Sequence, residues 1–369
     1  MAESEKASTQ PQPVSIRTFF ELLRQERAFL IVLGLGFLTA ALAYPYAQVA
    51  MWVGFAFAGY SAVANDSIQT IGTFLSSNKQ RPWWVLWLFI GGVFLATVGW
   101  SWVAYNGDVS YGRLASKGFE TAPSSFEFLQ IAAPLFLLIL TRLRMPVSTT
   151  FLLLSSFATT GKGIMGVITK SVSGYFIAFV VAIAVWGFLG PWMKKRFKGA
   201  VHPAWHVAQW VCTAALWSVW LQQDAANIAV FLPRSLSALE FAAFAGTIFL
   251  GLGMLFYMGG ERIQEVVDEK SDVVDVRSAT VIALVYAVIL YIFKIQSQIP
   301  MSTTWVFVGL LGGRELAMAF RGAAEGKHPK KRAMKIMGRD LLYVTIGFVV
   351  ALILAAAINP VVREGFFGS

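Results

Sequence analysis

The chain is predicted to be an all-α polytopic membrane protein, on three observations. Its 369 residues are 57% hydrophobic and only 14% charged, with a mean hydropathy of +0.63. Apolar runs recur from end to end, many near the roughly 20 residues that carry a helix across a hydrocarbon core. The basic residues behind the net charge of +10 cluster in short stretches between those runs. There they set membrane orientation and meet anionic headgroups, so membrane lipids are the expected surface partner and nucleic acid is not.

Residues 1–27 read as a polar cytoplasmic tail with no signal-peptide arrangement. Eleven apolar segments follow, at 28–45, 47–77, 82–104, 126–141, 146–166 and 171–192, then at 205–232, 235–258, 277–295, 300–320 and 340–359. The first belongs to an additional helix (28–46). The other ten divide into two sets of five, at 47–193 and 205–359, joined by a basic linker (194–204) and followed by a short tail (360–369).

The division rests on two recurring motifs. PVSTT (146–150) and PMSTT (300–304) occupy the fourth place of each set, their prolines 154 residues apart. In the first place stand NDSIQ (65–69) and QDAAN (223–227), both of the form amide-Asp-x-x-amide. Asp66 precedes Pro146 by 80 residues and Asp224 precedes Pro300 by 76, as an internal duplication requires. Five crossings per unit is an odd number, so the second unit enters from the opposite face. With the N-terminus cytoplasmic, 22 of the 30 Lys and Arg fall inside and seven outside, leaving Arg314 within a span. Inverted repeats with broken helices at the binding motifs are the architecture of secondary transporters.

Each Pro-x-Ser-Thr-Thr run reads as a helix start. Proline suits the first turn, where the backbone amides lack partners and the dipole favours an anion. Ser148, Thr149 and Thr150 add hydroxyl donors, and Ser302, Thr303 and Thr304 repeat them, giving two neutral cradles for an oxyanion. One such run is often a helix kink with back-bonded hydroxyls; two at matched places are harder to read that way. Asp66 and Asp224 are costly inside a membrane helix and so read as functional. Carboxylates repel an anion, which points to Na⁺ or H⁺ neutralising them during cotransport. Asn65, Gln69, Gln223 and Asn227 can offer a carbonyl oxygen to a cation or an amide donor to an oxyanion.

At these motifs the chain resembles the inorganic phosphate transporter (PiT) family, which carries a GANDVAN-like and a PVSTT-like motif in each half. The resemblance covers about 47–359 and is most specific at AND (64–66), PVSTT and PMSTT. It implies an inverted-repeat fold and symport of inorganic phosphate with Na⁺ or H⁺, sulfate being the alternative solute. Substrate contacts would fall to Asp66, Gln69, Ser148, Thr149, Thr150, Asp224, Asn227, Ser302, Thr303 and Thr304. Cation coupling would fall to Asn65, Asp66, Gln223 and Asp224, with Na⁺ at Asn65, Asp66 and Asp224. Gln69 and Gln223 stand where the family has asparagine, the glycine before the second motif is absent, and Phe151 and Trp305 replace histidine.

No cofactor is expected beyond Na⁺ as coupling ion, and a homodimer is compatible with this reading. The expected location is a cell membrane, a bacterial inner membrane, crossed many times. An enzyme is not expected, because no nucleophile–base pair accompanies either motif, and Cys212, His202, His206 and His328 form no metal set. An anion channel is disfavoured by the buried acids. GKGIMG (161–166) lacks the spacing of a phosphate loop. Lys162 and Arg314 read as snorkelling cations, the stretch 261–275 as a solvated acidic loop, and the tryptophans at segment ends (Trp83, Trp84, Trp192) as interface anchors.

Overall fold

The structure, a computed structural model, describes residues 16–116, 118–143, 145, 147–158, 161–258, 275–296, 302–321 and 329–367. Among them every regular element is helical. Helix α1 spans Ile16–Ala43. Helix α2 (Ala47–Ser61) passes through a π-helical turn, Ala62–Ser67, into α3 (Ile68–Ser77), and α4 is Trp83–Ala104. Then come the single turn α5 (Arg113–Ser116), α6 (Phe128–Arg142), α7 (Thr149–Ser156) and the long α8 (Gly161–Arg196). The remainder comprises α9 (Pro203–Ala229), α10 (Ala238–Tyr257), α11 (Val276–Leu290) with a π-helical end at Tyr291–Gln296, α12 (Thr303–Phe320), α13 (Pro329–Ile358) and α14 (Pro360–Phe367).

Seven of these helices are long and apolar enough to cross a membrane, so the chain is an all-α membrane protein. Helices α9 and α12 have the length, at 27 and 18 residues. Their apolar character is diluted by Gln223, Asp224 and Asn227 in one and by Arg314 and Glu315 in the other. Large apolar side chains cover the outside: Phe188 is 78% and Leu239 81% exposed, as lipid-facing positions should be.

Local chemistry explains several boundaries. Pro203 opens α9, where its missing N–H costs nothing. Ser237 and Glu240 form a reciprocal capping box at α10, and the Asp275 carboxylate accepts from Arg277 N at 2.8 Å to cap α11. The predicted break at 166–171 is absent: α8 runs through it, because Lys162, Lys170 and the serines lower hydropathy without breaking a helix. Residues 16–27, assigned to a tail, belong to α1, and 360–367 form α14 rather than a plain tail. Arg314 is explained locally by an ion pair with Glu315 at 2.5 Å. Of the acidic stretch 261–275, only Asp275 lies within the described residues.

Contacts fix the helix directions around the centre. Along α12, Gly309 meets Tyr175, Gly313 meets Phe179 and the Arg321 guanidinium donates to Gly187 O, so α8 and α12 run parallel. Helix α13 is antiparallel to α12, with Phe348 on Trp305 and Met337 beside Gly312. It is parallel to α7, with Phe348 on Phe151 and Asn359 donating to Ser155 O and Ala158 O. Helices α7 and α12 therefore point in opposite directions. Helices α3 and α9 are antiparallel too, since Asn78 at the end of one reaches Gln209 near the start of the other.

The α8–α12 contact depends on glycine. A Cβ on Gly309 would lie 2.5 Å from Tyr175 O, and one on Gly313 would lie 2.4 Å from Phe179 O. Small residues four apart let two backbones touch where no hydrophobic effect drives helices together. Gly313→Ala should therefore destabilise the protein by about 1–3 kcal/mol, whereas Gly338→Ala, with open space around it, should be neutral or mildly stabilising. Thermal unfolding of the detergent-solubilised variants checks the contrast.

Candidate functional site

The motif residues predicted to act together are brought together. Asn65 and Asp66 sit in the π-helical turn between α2 and α3, a form that is rare and often found at functional sites. Both are buried, at 0% and 1% exposure, and Asp224 is equally enclosed at 3%. Between the two acids stands the start of α7. The Thr149 hydroxyl donates to Asp66 Oδ2, and the Thr150 hydroxyl donates to Asp224 Oδ1 at 3.3 Å. Asn227, one turn beyond Asp224 on α9, donates to Asp224 Oδ1 at 2.7 Å and to the Thr150 hydroxyl at 2.8 Å. Asn65 Nδ2 donates to Asp66 Oδ1 at 2.6 Å and reaches Val147 O at 3.2 Å.

Val147 O is also where the second Ser-Thr-Thr run arrives. Thr304 Oγ1 donates to it at 3.0 Å, joining residues 157 positions apart. The N-termini of α7 and α12 thus meet, and the two helices leave that point in opposite directions. Their first turns differ. Ser148 Oγ accepts from Phe151 N at 3.1 Å and caps α7, so one amide of the expected cradle is already satisfied by its own serine. Ser302 makes no such bond at the start of α12. Its buried Oγ has no hydrogen-bond partner among the described residues, and neither does Asn227 Oδ1. Both atoms belong to the motifs, and an unpaired buried polar atom costs about 1–3 kcal/mol.

Gln223 is fully buried on α9 beside Asp224. Gln69 lies in the first turn of α3, its side chain outside the described residues, as are Pro146, Pro300 and Met301. Phe151 and Trp305 are buried and pack on Phe348 of α13, at ring separations of 5.2 and 5.8 Å. Beside Asp224 a cavity of about 20 Å³ is lined by Ser67, Trp217, Trp220 and Ile248, enough for one water-sized occupant.

Several supports escaped the motifs. The Tyr286 hydroxyl, buried on α11, donates to Thr303 O at 3.2 Å. Asn359 and Gln130 tie down the far end of α7, the latter donating to Ser156 O at 3.0 Å. At the end of α9, Arg234 donates to Ala229 O and Val230 O, carbonyls a helix end leaves open, and to Leu232 O and the loop carbonyl of Phe119. Burial pulls its pKa down to about 10, with Asp108 opposing the change, so it stays charged at neutral pH. An isolated arginine in a loop carries no sequence signal for this role.

Comparison with family profiles, with curated proteins and with solved structures finds no match to the chain.

Asn227→Leu keeps the volume and removes every bond the amide donates, including a longer one to the Thr149 hydroxyl at 3.5 Å, leaving a buried carboxylate and two hydroxyls short of a donor. A loss of about 1–3 kcal/mol in stability is expected, read as a lower unfolding midpoint in detergent; an unchanged midpoint would show that these bonds contribute nothing net.

Proposed function

We propose that the protein is a secondary transporter that imports inorganic phosphate in symport with Na⁺ or H⁺. The observation that carries this reading is the meeting of two Ser-Thr-Thr helix starts between two buried aspartates. Its units are 47–193 and 205–359, related by inversion; the opposed directions of α3 and α9, and of α7 and α12, support that relation. The N-terminus and the linker 194–204 lie on the cytoplasmic side of a bacterial inner membrane, in keeping with the distribution of Lys and Arg.

The hydrogen bonds suggest how cation and anion are coupled. A threonine hydroxyl has one proton to donate. Thr149 gives its proton to Asp66 and Thr150 gives its own to Asp224, which leaves neither for an oxyanion. A proton or Na⁺ on the carboxylates weakens those acceptors and frees the hydroxyls. They then turn to phosphate together with the amides of α12 and the hydroxyls of Ser302 and Thr303. The carboxylates cease to repel the anion in the same step. Linkage makes the effect reciprocal, so bound anion strengthens cation binding by the same factor.

Sulfate is the second reading, since neutral donors grip any tetrahedral oxyanion; Gln69 and Gln223, in place of shorter amides, bear on that choice. Uptake of labelled phosphate into proteoliposomes tests both. Gradient-dependent uptake is expected, falling about 10- to 100-fold in Asp66→Asn and Thr303→Ala, as loss of a bond to a charged group predicts. Absence of uptake under any Na⁺ or H⁺ gradient rejects the proposal. Strong competition by sulfate favours the alternative, and unsaturable uptake indifferent to the gradient indicates a channel.

A further inference from the structure

Helix α3 carries polar residues that neither motif explains. Thr70, Thr73 and Ser77 follow Asp66 at helical spacing along one face, and all are buried, at 3%, 5% and 4% exposure. The Thr70 hydroxyl donates to Asp66 O at 3.1 Å, so the series begins at the site itself. It ends at Asn78, fully buried, beside the exposed Lys79 and Arg81. From Asp66 to Ser77 the helix rises roughly 16 Å, about half the thickness of a hydrocarbon core.

Opposite this end, α9 presents Gln209 and Thr213, at 0% and 1% exposure and one turn apart. Gln209 Nε2 donates to Ser77 Oγ, and Asn78 Nδ2 donates to Gln209 Oε1 at 2.9 Å and to Phe74 O at 2.9 Å. Asn78 Oδ1 and Thr213 Oγ1, both buried, have no partner among the described residues. Hydroxyls in a membrane helix bond back to their own helix, as Ser76 does to Gly72 O, Thr70 to Asp66 O and Ser77 to Thr73 O. Back-bonding does not account for an asparagine and a glutamine paired across two helices, nor for the unpartnered atoms beside them. Nearer the site, the α9 face changes to Leu216 and Trp220, both buried.

We infer that this stripe is the inner access path of the site, lined by Thr70, Thr73, Ser77 and Thr213 and latched by Asn78 and Gln209. It leads to the membrane face that carries Lys79 and Arg81. Its lining is neutral and rich in hydroxyls, which suits a small ion shedding and regaining water without a charged trap along the way. Crossing the latch requires the Asn78–Gln209 and Gln209–Ser77 bonds to break, and Asn78 Oδ1 and Thr213 Oγ1 become partners for the passing water. The inference rests on the transporter reading, but not on which solute is carried.

Thiol accessibility tests it. Cys212 is the single cysteine, so Cys212→Ala supplies the background, and Thr73→Cys and Thr213→Cys are near-isosteric additions to it. Val211→Cys, at similar depth on α9 but 62% exposed to the lipid side, is the control. A membrane-impermeant cationic methanethiosulfonate, added from the Lys79 face in inverted vesicles, should modify both stripe positions about tenfold faster than the control, since thiolate attack needs water. Adding Asn78→Ala and Gln209→Ala should raise the Thr73→Cys rate further. Stripe rates no higher than the control from that face overturn the path, and a rate unmoved by removing Asn78 and Gln209 overturns the latch. Labelling does not depend on the solute. Failed phosphate uptake with a reactive stripe rejects phosphate alone, and normal uptake with an unreactive stripe rejects the path alone.

Discussion

Two buried carboxylates in a lipid-covered helix bundle need donors, and the start of α7 supplies them. Thr149 and Thr150 are adjacent in sequence, yet one serves Asp66 and the other Asp224. That division holds the π-helical turn before α3 and the end of α9 on either side of one short helix. An eight-residue helix is too short to be stable by itself in water or to cross a bilayer. Its place is set instead by these bonds at its start and by Gln130 and Asn359 at its end. The rest of the centre is arranged around it.

The second Ser-Thr-Thr run is held differently. Helix α12 is long, lies against α8 through Gly309 and Gly313, donates to the first run at Val147 O through Thr304, and is held at Thr303 O by Tyr286 of α11. The two halves therefore repeat a motif but do not repeat its bonding. In the first, Ser148 caps its own helix; in the second, the Ser302 hydroxyl has no hydrogen-bond partner among the described residues.

The polar stripe of α3 belongs to the same economy of donors. In water, Thr73, Ser77 and Asn78 would be unremarked surface residues. Surrounded by protein in a membrane, each must find a partner or a reason to lack one. The reach from Asp66 to Asn78 connects the acids to a basic membrane face, so site and path are parts of one helix rather than separate inventions. On α9, Trp217 and Trp220 stack at 4.8 Å and line the small cavity beside Asp224.

The sequence by itself determined the membrane class, because apolar length and the placement of charge are properties of the chain alone. It also determined that Asp66, Asp224 and the two Ser-Thr-Thr runs belong together, since their types and spacing recur. Its error at 166–171 had a definite cause: a dip in hydropathy resembles a loop, while a continuous helix needs only satisfied backbone bonds. Tertiary structure alone decided which threonine meets which aspartate, that Val147 O joins the two runs, and that Ser148 and Ser302 differ. It alone revealed Asn78 against Gln209, Arg234 on a helix end, and the contact at Gly309 and Gly313. Those outcomes depend on directions and distances between residues far apart in the chain, and periodicity within one helix carries no record of its neighbour.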